Sequence, residues 1–598
     1  MMPKHPLRPI MKPKRVKFMP QTHQKPTHSQ AKKPAGKILG GPLWLLLLLS
    51  LLSPLPAQAN ELKQHLSPYL AMHGDDPVNW RNWSADVLRQ AQRQNKLIFI
   101  SSGYFSCYWC HRMHQDVYVH ADAAAVLNRY TVPVKVDREL NPALDAYLID
   151  FARRSTGRAG WPIHVLLTPD GLPFYAFIYQ PKERFIGIIQ RAARLWQQQP
   201  ARITQAARKA LQLPQPYDPK AQPTLTRNTL RQLFLTQLQA RMDDFSGGLK
   251  GQQKFPETPL LLNVLRLKNL PEPIRDWFNL TLEAMAQQHL RDHVDGGFFR
   301  YTVDPAWHTP HYEKMLYDNA QLAELYLRAG KRFQRNDWIQ IGLETLDFIQ
   351  RRLYNPKTQL YVGSLSAVDA HAEEGGNYLL SPQQLQALLT PEHYRLVAEH
   401  WQLDLPGPWE GRWLAQTIDD PRWPAIRQRL RQAFTPPPRD DKQILAWNAL
   451  LINAWVAAAD ATGDPVWRQQ AKALYQRLYT LLLQSDPPRA LGENGQPIGG
   501  AMLADHALLL RAARALEQDT TTLQRLTEQR FLTSVGWKLS GIPLLPGMTG
   551  STWLPDDDLP SLTALLDVHA PSRLAGAEPA IHQSPLASGS YLWALPTP

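Results

Sequence analysis

Cysteine is almost absent from this chain: 598 residues hold two, Cys107 and Cys110. So few cysteines exclude a framework of structural cross-links, and if these two pair, they pair with each other. Closing so short a loop takes little entropy from the unfolded chain, which favours a working bond over a staple. Long apolar runs are lacking too. The near-unbroken run Leu43 to Leu52 is ten residues, short of a bilayer span, and no other stretch approaches that length. Acidic residues are missing from the first 59 positions, which carry eight Lys and two Arg. No basic stripe interleaved with aromatics occurs, so the sequence pI of 9.6 does not argue for nucleic acid. Removing that basic leader leaves 56 Lys and Arg against 52 Asp and Glu, a net charge of +4.

The leader has the order of a secretory signal: a basic part, an apolar part, then Ala57-Gln58-Ala59. The expectation is an exported, periplasmic protein cut before Asn60, with membrane contact only through this segment; the alternative is an uncleaved anchor to the inner membrane. The roughly 540 residues that follow exceed one ordinary core.

What is present is concentrated around Ser106-Cys107-Tyr108-Trp109-Cys110-His111. Lys96 to Ser101 is a short β-branched and aromatic run that reads as a buried strand. Trp109 to Val119 has neither Gly nor Pro and reads as a helix. A strand feeding Cys-x-x-Cys at a helix start is a redox arrangement. Free amides at a helix N-terminus stabilise an anion, and thiolates placed there have pKa values of roughly 3.5–7.5. Cys107 is then the attacking sulfur, open to solvent, and Cys110 the covered, resolving one. Three other readings share these residues: a c-type haem attachment, a zinc cluster of Cys107, Cys110, His111 and His114, and two buried cysteines without chemistry.

The elements around the pair run helix Ala85 to Gln94, the strand, the cysteine helix, helix Ala121 to Arg129 and strand Val132 to Asp137. Helix Ala143 to Arg154, strands Ile163 to Thr168 and Phe174 to Tyr179, and helix Lys182 to Gln197 follow. This resembles the thioredoxin order. The resemblance puts Pro162 in the place of the cis-proline that faces the disulfide, with the backbone of Trp161 offered to a peptide substrate. The motifs Ser67-Pro68-Tyr69-Leu70, Asp76-Pro77-Val78-Asn79-Trp80, Val136-Asp137-Arg138-Glu139 and Gly160-Trp161-Pro162 stand in the order of the spermatogenesis-associated thioredoxin-like family, which this chain resembles. Two departures show. Tyr108 replaces a His usual in that family, and Ser101 stands where thioredoxins often bury an acid six residues before the first cysteine. Proton transfer to Cys110 then falls to Asp137 or His111.

Gln197 to Thr226 is rich in Pro and Gln and reads as a linker. Beyond it amphipathic runs dominate, among them Arg227 to Arg241, Leu316 to Arg328, Ile444 to Ala461 and Met502 to Glu517, with Gly-Gly loops at 247–248, 296–297, 375–376 and 499–500. Repeated hairpins of this kind suggest an α/α toroid, and the family's motifs continue through Lys254-Phe255-Pro256, residues 295–304, residues 310–320 and Arg439 to Lys442. The expected fold is an α/β thioredoxin-like N-terminal domain followed by an all-α (α/α)6-toroid-like domain. Its parts are a leader at 1–59, the first domain at 60–198, a linker at 199–226, the toroid at 227–517 and an irregular extension at 518–598.

The expected function is exported thiol–disulfide exchange. Cys107, Cys110 and Pro162 act in it, and Tyr108, Trp109, His111, Asp137 and Trp161 tune the pair or touch substrate. The partner is a cysteine-containing protein, and neither cofactor nor metal is expected. A toroid site is read from Lys254, Arg300, Tyr301, His311, Glu313, Asp318, Asp441, Lys442 and Trp447, which either converge on a small carbohydrate or form a satisfied polar network. The alternative function is a carbohydrate-binding or carbohydrate-modifying toroid with an accessory thioredoxin-like domain.

Overall fold

The structure, a computed structural model, describes residues 60–211, 225–541, 545–546, 548 and 550–596. The stretch 1–59 read as a leader, with its apolar run and expected cut site, lies outside them. No helix among the described residues is long and apolar enough to cross a membrane.

The first domain is built on a five-stranded sheet of β1 (Arg81–Asn82), β2 (Leu97–Gly103), β3 (Thr131–Asp137), β4 (Ile163–Leu167) and β5 (Pro173–Phe177), in the order β1-β3-β2-β4-β5. β3 runs parallel to both β1 and β2, while β4 is antiparallel to β2 and to β5. Every residue of β2 is buried, as the unbroken apolar run requires of a central strand covered on both faces. β2 leads into helix α1 (Tyr108–Met113), which passes at His114–Tyr118 into a π-helical turn rather than running on as one helix. The Trp161–Pro162 peptide bond is cis.

The stretch read as a linker is in part a helix, Pro200–Leu211. Pro200 occupies the first helical position, where its missing N–H costs nothing, and Ala, Arg, Gln and Leu follow. Residues 212–224 lie outside the described part.

The second part is helical, with short ribbons only. Its innermost helices are α2 (Thr258–Arg266), α3 (Leu316–Phe333), α4 (Leu445–Thr462), α5 (Leu503–Ala515), α6 (Leu562–Leu566) and α7 (Tyr591–Ala594). α3 packs on α2 and α4, α4 on α5, α5 on α6 and α6 on α7. The ring closes where Trp593 Nε1 donates to Asn263 Oδ1 of α2 at 3.0 Å. α4 is buried almost all round, whereas its outer neighbour Pro465–Leu482 buries one face. This is the toroid-like arrangement: hydrophobic helices inside, amphipathic ones outside. Three helices between Pro382 and Ala433, unforeseen in the sequence, form a separate small core. The chain after residue 517 is no mere extension, because it supplies α6 and α7 of the ring. Gly296 and Gly297 have φ of +88° and +74°, and a Cβ on Gly297 would lie 2.5 Å from Phe348, so glycine is required in that loop.

The two parts share one hydrophobic core running from the cysteines to Met315 and Leu316. At its centre Lys442, fully buried, reaches Asp440 at 2.5 Å, Asp137 at 2.9 Å and Glu139 at 3.1 Å. Burial disfavours the Lys442 charge, but Asp137 and Asp440 hold its pKa above the usual lysine range. Burial, reinforced by Asp440 and Asp137, pushes the Glu139 carboxyl up so that it keeps its proton. Arg489 adds a second tie, donating to Asp505 at 2.5 Å and to the Glu139 carbonyl at 3.2 Å.

Lys442→Met should cost about 3–5 kcal/mol at neutral pH, because it leaves the buried carboxylates of Asp137 and Asp440 without a cation. Denaturant unfolding at pH 8 and pH 5 checks this, with the smaller loss at pH 5, where the acids can take up protons. A loss below about 1 kcal/mol at both values would contradict this account of the joint.

Candidate active site at the domain joint

Cys107 and Cys110 are joined in a disulfide. Cys107 is the N-cap of α1, with extended backbone, and its Sγ accepts the Cys110 amide at 3.1 Å. The helix thus offers an N–H to whichever charge Cys107 carries. The zinc cluster read from the sequence is not assembled. The two sulfurs bond each other, the His111 ring meets the Phe105 carbonyl at 2.7 Å, and His114 meets Asp76 at 2.8 Å.

One expectation is overturned. Cys107 is not open to solvent: it is 3% exposed and Cys110 0%. The cover is the helical part. Ala367 N–H donates to the Ser106 carbonyl at 3.1 Å, Ser106 Oγ lies 3.2 Å from Met315 Sδ, and the Tyr108 ring stands 5.7 Å from that of His311. Tyr104 donates to Glu313 at 2.8 Å and accepts from Arg300. Burial alone explains the mismatch: a surface face of the isolated first domain becomes an inner face when the second is docked on it. Trp109, 42% exposed and packed on Tyr179, stays outside.

The groups named for proton transfer are otherwise engaged. Asp137 accepts from Ser67 Oγ at 2.6 Å and pairs with Lys442. Burial holds His111 down to about 4, hence neutral. What lies against Cys110 instead is Tyr69. A Cβ on Gly103 would meet Tyr69 Oη at 2.4 Å and Cys110 Sγ at 2.6 Å, so those two atoms approach each other across a glycine. Tyr69 Oη is buried without a hydrogen-bond partner. Lys135 lies beneath, 5.2 Å from the Tyr69 ring, donating to Ser101 Oγ at 3.1 Å. Burial lowers its amine to about 7. Ser101 and Lys135 are direct partners across β2 and β3, so the position that lacks an acid faces a buried base.

The residues read as a toroid site separate into two sets. Arg300, Tyr301, His311, Glu313 and Asp318 gather at the joint. Arg300 contacts Tyr317 at 2.9 Å, Glu313 at 3.5 Å and Asp558 at 3.5 Å. His311 lies 3.0 Å from Glu374, and its ring is 4.9 Å from that of Tyr301. Burial raises Glu313 to about 7, even against Arg300. The others are placed elsewhere. Lys254 is spent on Asp243 at 2.7 Å and on the carbonyls of Gly247 and Leu249 at 2.8 Å, Asp441 on Arg439 at 2.7 Å, and Lys442 on the joint. Trp447 packs on Tyr317 and Gly363.

Beside this group a cavity of about 480 Å³ lies between the domains, lined by Arg138, Asp145 and Trp161 from the first and Arg300, Asp318 and Glu257 from the second. Asp557 and Asp558 of the C-terminal segment also line it. Asp558 bonds Arg138 at 3.0 Å. Tyr104, Glu257 and the two aspartates were missed from the sequence; the acidic run 556–558 was the signal available. Asp318 Oδ2 is buried without a partner, and burial and the nearby Asp558 raise this carboxyl.

Among the described residues one group has metal-ligand character: His73, Asp76 and His114, with ligand atoms within 4.8 Å of one another. Asp76 already meets His73, His114 and Trp80, each at 2.8 Å, which is a complete hydrogen-bond set for a buried carboxylate.

The class of protein is thus a thioredoxin-like domain, its Cys-x-x-Cys disulfide capping a helix, joined to a helical toroid that covers the sulfurs. Residues 59–213 match the family described as "Thioredox_DsbH: Protein of unknown function, DUF255". The chain is 29% identical over 474 residues to spermatogenesis-associated protein 20 of Rattus norvegicus, covering 68% of this chain and 59% of that protein. It is 27% identical over 570 residues to an uncharacterised protein of Caenorhabditis elegans, covering 80% and 75%. The chain therefore spans about six-tenths of the rat protein, and the resemblance read from the motifs holds well beyond the first domain. Cellobiose 2-epimerase from Bacillus thermoamylovorans matches with a TM-score of 0.37 and 11% identity, covering 61% of this chain and 86% of that one. A likeness so slight carries nothing about activity.

The raised Glu313 gives a sign to pH dependence. Between its unfolded value near 4.5 and its folded value near 7, the folded protein keeps a proton that the unfolded chain releases, so stability falls as pH rises through that window. Glu313→Gln should therefore lose about 1–3 kcal/mol less than the parent between pH 5 and pH 7. Parallel pH profiles of the two proteins would refute the assignment.

Proposed function

We propose that this protein is an exported thiol–disulfide oxidoreductase that exchanges Cys107–Cys110 with a cysteine-containing protein. The observation that carries the reading is the pairing of the two cysteines at the N-terminus of α1, with the Cys110 amide on Cys107 Sγ. In the reducing direction, the Cys107 thiolate attacks one sulfur of a substrate disulfide and the other leaves as a thiolate. Cys110, deprotonated, then attacks Cys107 Sγ, releasing the second substrate sulfur and re-forming the Cys107–Cys110 bond. Oxidation of a substrate is the same sequence reversed. Pro162 and the Trp161 backbone flank the exchange. Because the toroid covers Cys107, a protein substrate reaches it only when the contacts of Tyr104, Ser106 and Tyr108 open. Export is proposed on the leader pattern of residues 1–59.

After reduction, alkylation at neutral pH should label Cys107 faster than Cys110, and both about 100-fold or more slowly than a free cysteine peptide, because the protecting contacts must open first. The double change Tyr108→Ala with His311→Ala should speed labelling of Cys107 without changing the order. Cys110→Ser should trap mixed disulfides and Cys107→Ser few. Equal labelling of both sulfurs, or trapping by Cys107→Ser alone, would sink the exchange mechanism.

A second reading, a carbohydrate-handling toroid, is favoured by the cavity between the domains. Burial and the neighbouring Asp557 hold Glu257 near 7, Asp318 carries an unpartnered oxygen, and Trp161 and Phe255 line the cavity, one with Arg138 and the other with Tyr301 stacked on its ring. Saturable quenching of tryptophan fluorescence by a disaccharide, lost in Asp318→Asn, would support it.

A further inference from the structure

The ring of inner helices lines a second, open cavity of about 920 Å³, large enough for a small organic ligand, with Arg266, Lys331 and Arg332 exposed at its mouth. It adjoins the first at Pro259 and Pro560, which line both. On α3 its residues lie 8 to 16 positions beyond Leu316, roughly 12–24 Å along the helix from the disulfide end. All six inner helices contribute to its wall.

Its charge is lopsided. Arg266, Arg328, Lys331, Arg332, Arg511 and Arg514 line it against two acids, Glu324 and Asp460. That excess of four positive charges equals the net charge of all residues from 60 to 598. The acids are already used. Glu324 takes Arg511 at 2.7 and 2.8 Å and Arg328 at 2.9 Å, while Asp460 takes Arg468, outside the cavity, at 3.1 Å. Arg332 and Arg514 donate only to backbone carbonyls, of Leu267 and Leu565. Arg511 Nη1 is buried with no hydrogen-bond partner, although arginine among acids satisfies such donors readily. Arg266 stacks 4.4 Å from the centre of the Trp593 ring, and desolvation together with Arg511 and Arg328 lowers its pKa to about 10. Like charges crowded in a concave, partly dry site repel one another unless a counter-ion joins them.

We propose that the toroid lumen binds a small organic molecule carrying two or more oxyanion charges, held by the guanidinium groups of Arg266, Arg328 and Arg511. Arginine forks match phosphate and carboxylate oxygens with paired hydrogen bonds, and five of the six cations are arginine. The cavity is concave and lined by all six inner helices, which suits a small molecule. Trp593, already stacked on Arg266, gives it one aromatic wall. The site is separate from the disulfide and does not rest on thiol exchange.

The test is calorimetric titration of the whole purified protein with inorganic pyrophosphate and, in parallel, citrate, at low and at high salt. Saturable binding of either anion is expected, weakened about tenfold or more by high salt. Tighter pyrophosphate binding marks a phosphate ester as the natural ligand, and tighter citrate binding a polycarboxylate. Arg266→Gln and Lys331→Gln break no carboxylate pair, so both should fold with the parent's melting temperature. Each should weaken binding about tenfold. A second readout is independent of affinity: pyridoxal 5′-phosphate followed by borohydride should modify Lys331, the one lysine lining the lumen among the described residues, and pyrophosphate should protect it. Absence of saturable binding by both anions at low salt would overturn the proposal, as would undiminished binding in both variants or unprotected labelling of Lys331.

Discussion

One buried cation holds this molecule in its shape. Lys442 comes from the helical part, and two of its three carboxylates, Asp137 and Glu139, come from the end of β3 in the first domain. A lysine with no exposed surface is tolerable only because those acids surround it. The constraint is mutual, since the buried carboxylates of Asp137 and Asp440 would be costly without the lysine. Docking of the two domains is therefore tied to a charge balance that neither can reach alone, and Glu139 completes it by keeping its proton.

The position of the disulfide follows from that docking. β2 and α1 place Cys107 where a helix end favours its thiolate, and the docked toroid then removes it from water. The two effects oppose each other, for the helix N-terminus stabilises the charge and burial penalises it. Tyr69 beside Cys110 and Lys135 against its ring belong to the same compromise, as polar groups kept in a dry place. Tyr104 links the two sides: it stands three residues before Cys107 and bonds Glu313 and Arg300, of which Arg300 also lines the cavity between the domains. The Tyr104 bonds thus run from the cover of Cys107 to the wall of that cavity.

The toroid divides its charges by position. Its end near the disulfide gathers carboxyls that burial and mutual repulsion push toward neutrality, among them Asp318, Glu257 and Glu313. The lumen further along gathers arginines with too few acids. The C-terminal segment separates the two regions, with Asp557 and Asp558 at the cavity beside the first domain, Asp556 held by Asn263, Ser561 and Ser590 of the helical part, and Trp593 at the lumen. A tail of low apparent order in sequence thus completes both the ring and its electrostatics.

Much of this was legible in the chain itself. The strands, the start of the cysteine helix and the longer helices of the second part up to residue 517 were readable because local periodicity and composition set them. By contrast, the run at 444–461, read as amphipathic, is buried almost all round, and the short ring helices after residue 517 were not read. Cys107-x-x-Cys110 before a helix pointed to sulfur chemistry, and the resemblance to the thioredoxin order singled out the Trp161–Pro162 bond, which is cis. Other features could not be read, because they depend on contacts between residues hundreds of positions apart. That Lys442 is a structural tie and not a site residue is decided by Asp137, some 300 residues earlier. That Cys107 is covered is decided by residues 299–315 and 366–368. That Asp558 faces Arg138 and Arg300 is decided by the closing of the ring. Sequence by itself determined which elements form and which atoms can react, since both are local properties; only tertiary structure decided which of those atoms meet water, which meet each other and which are consumed in holding the domains together, since burial and long-range electrostatics have no signature in a stretch of neighbouring residues.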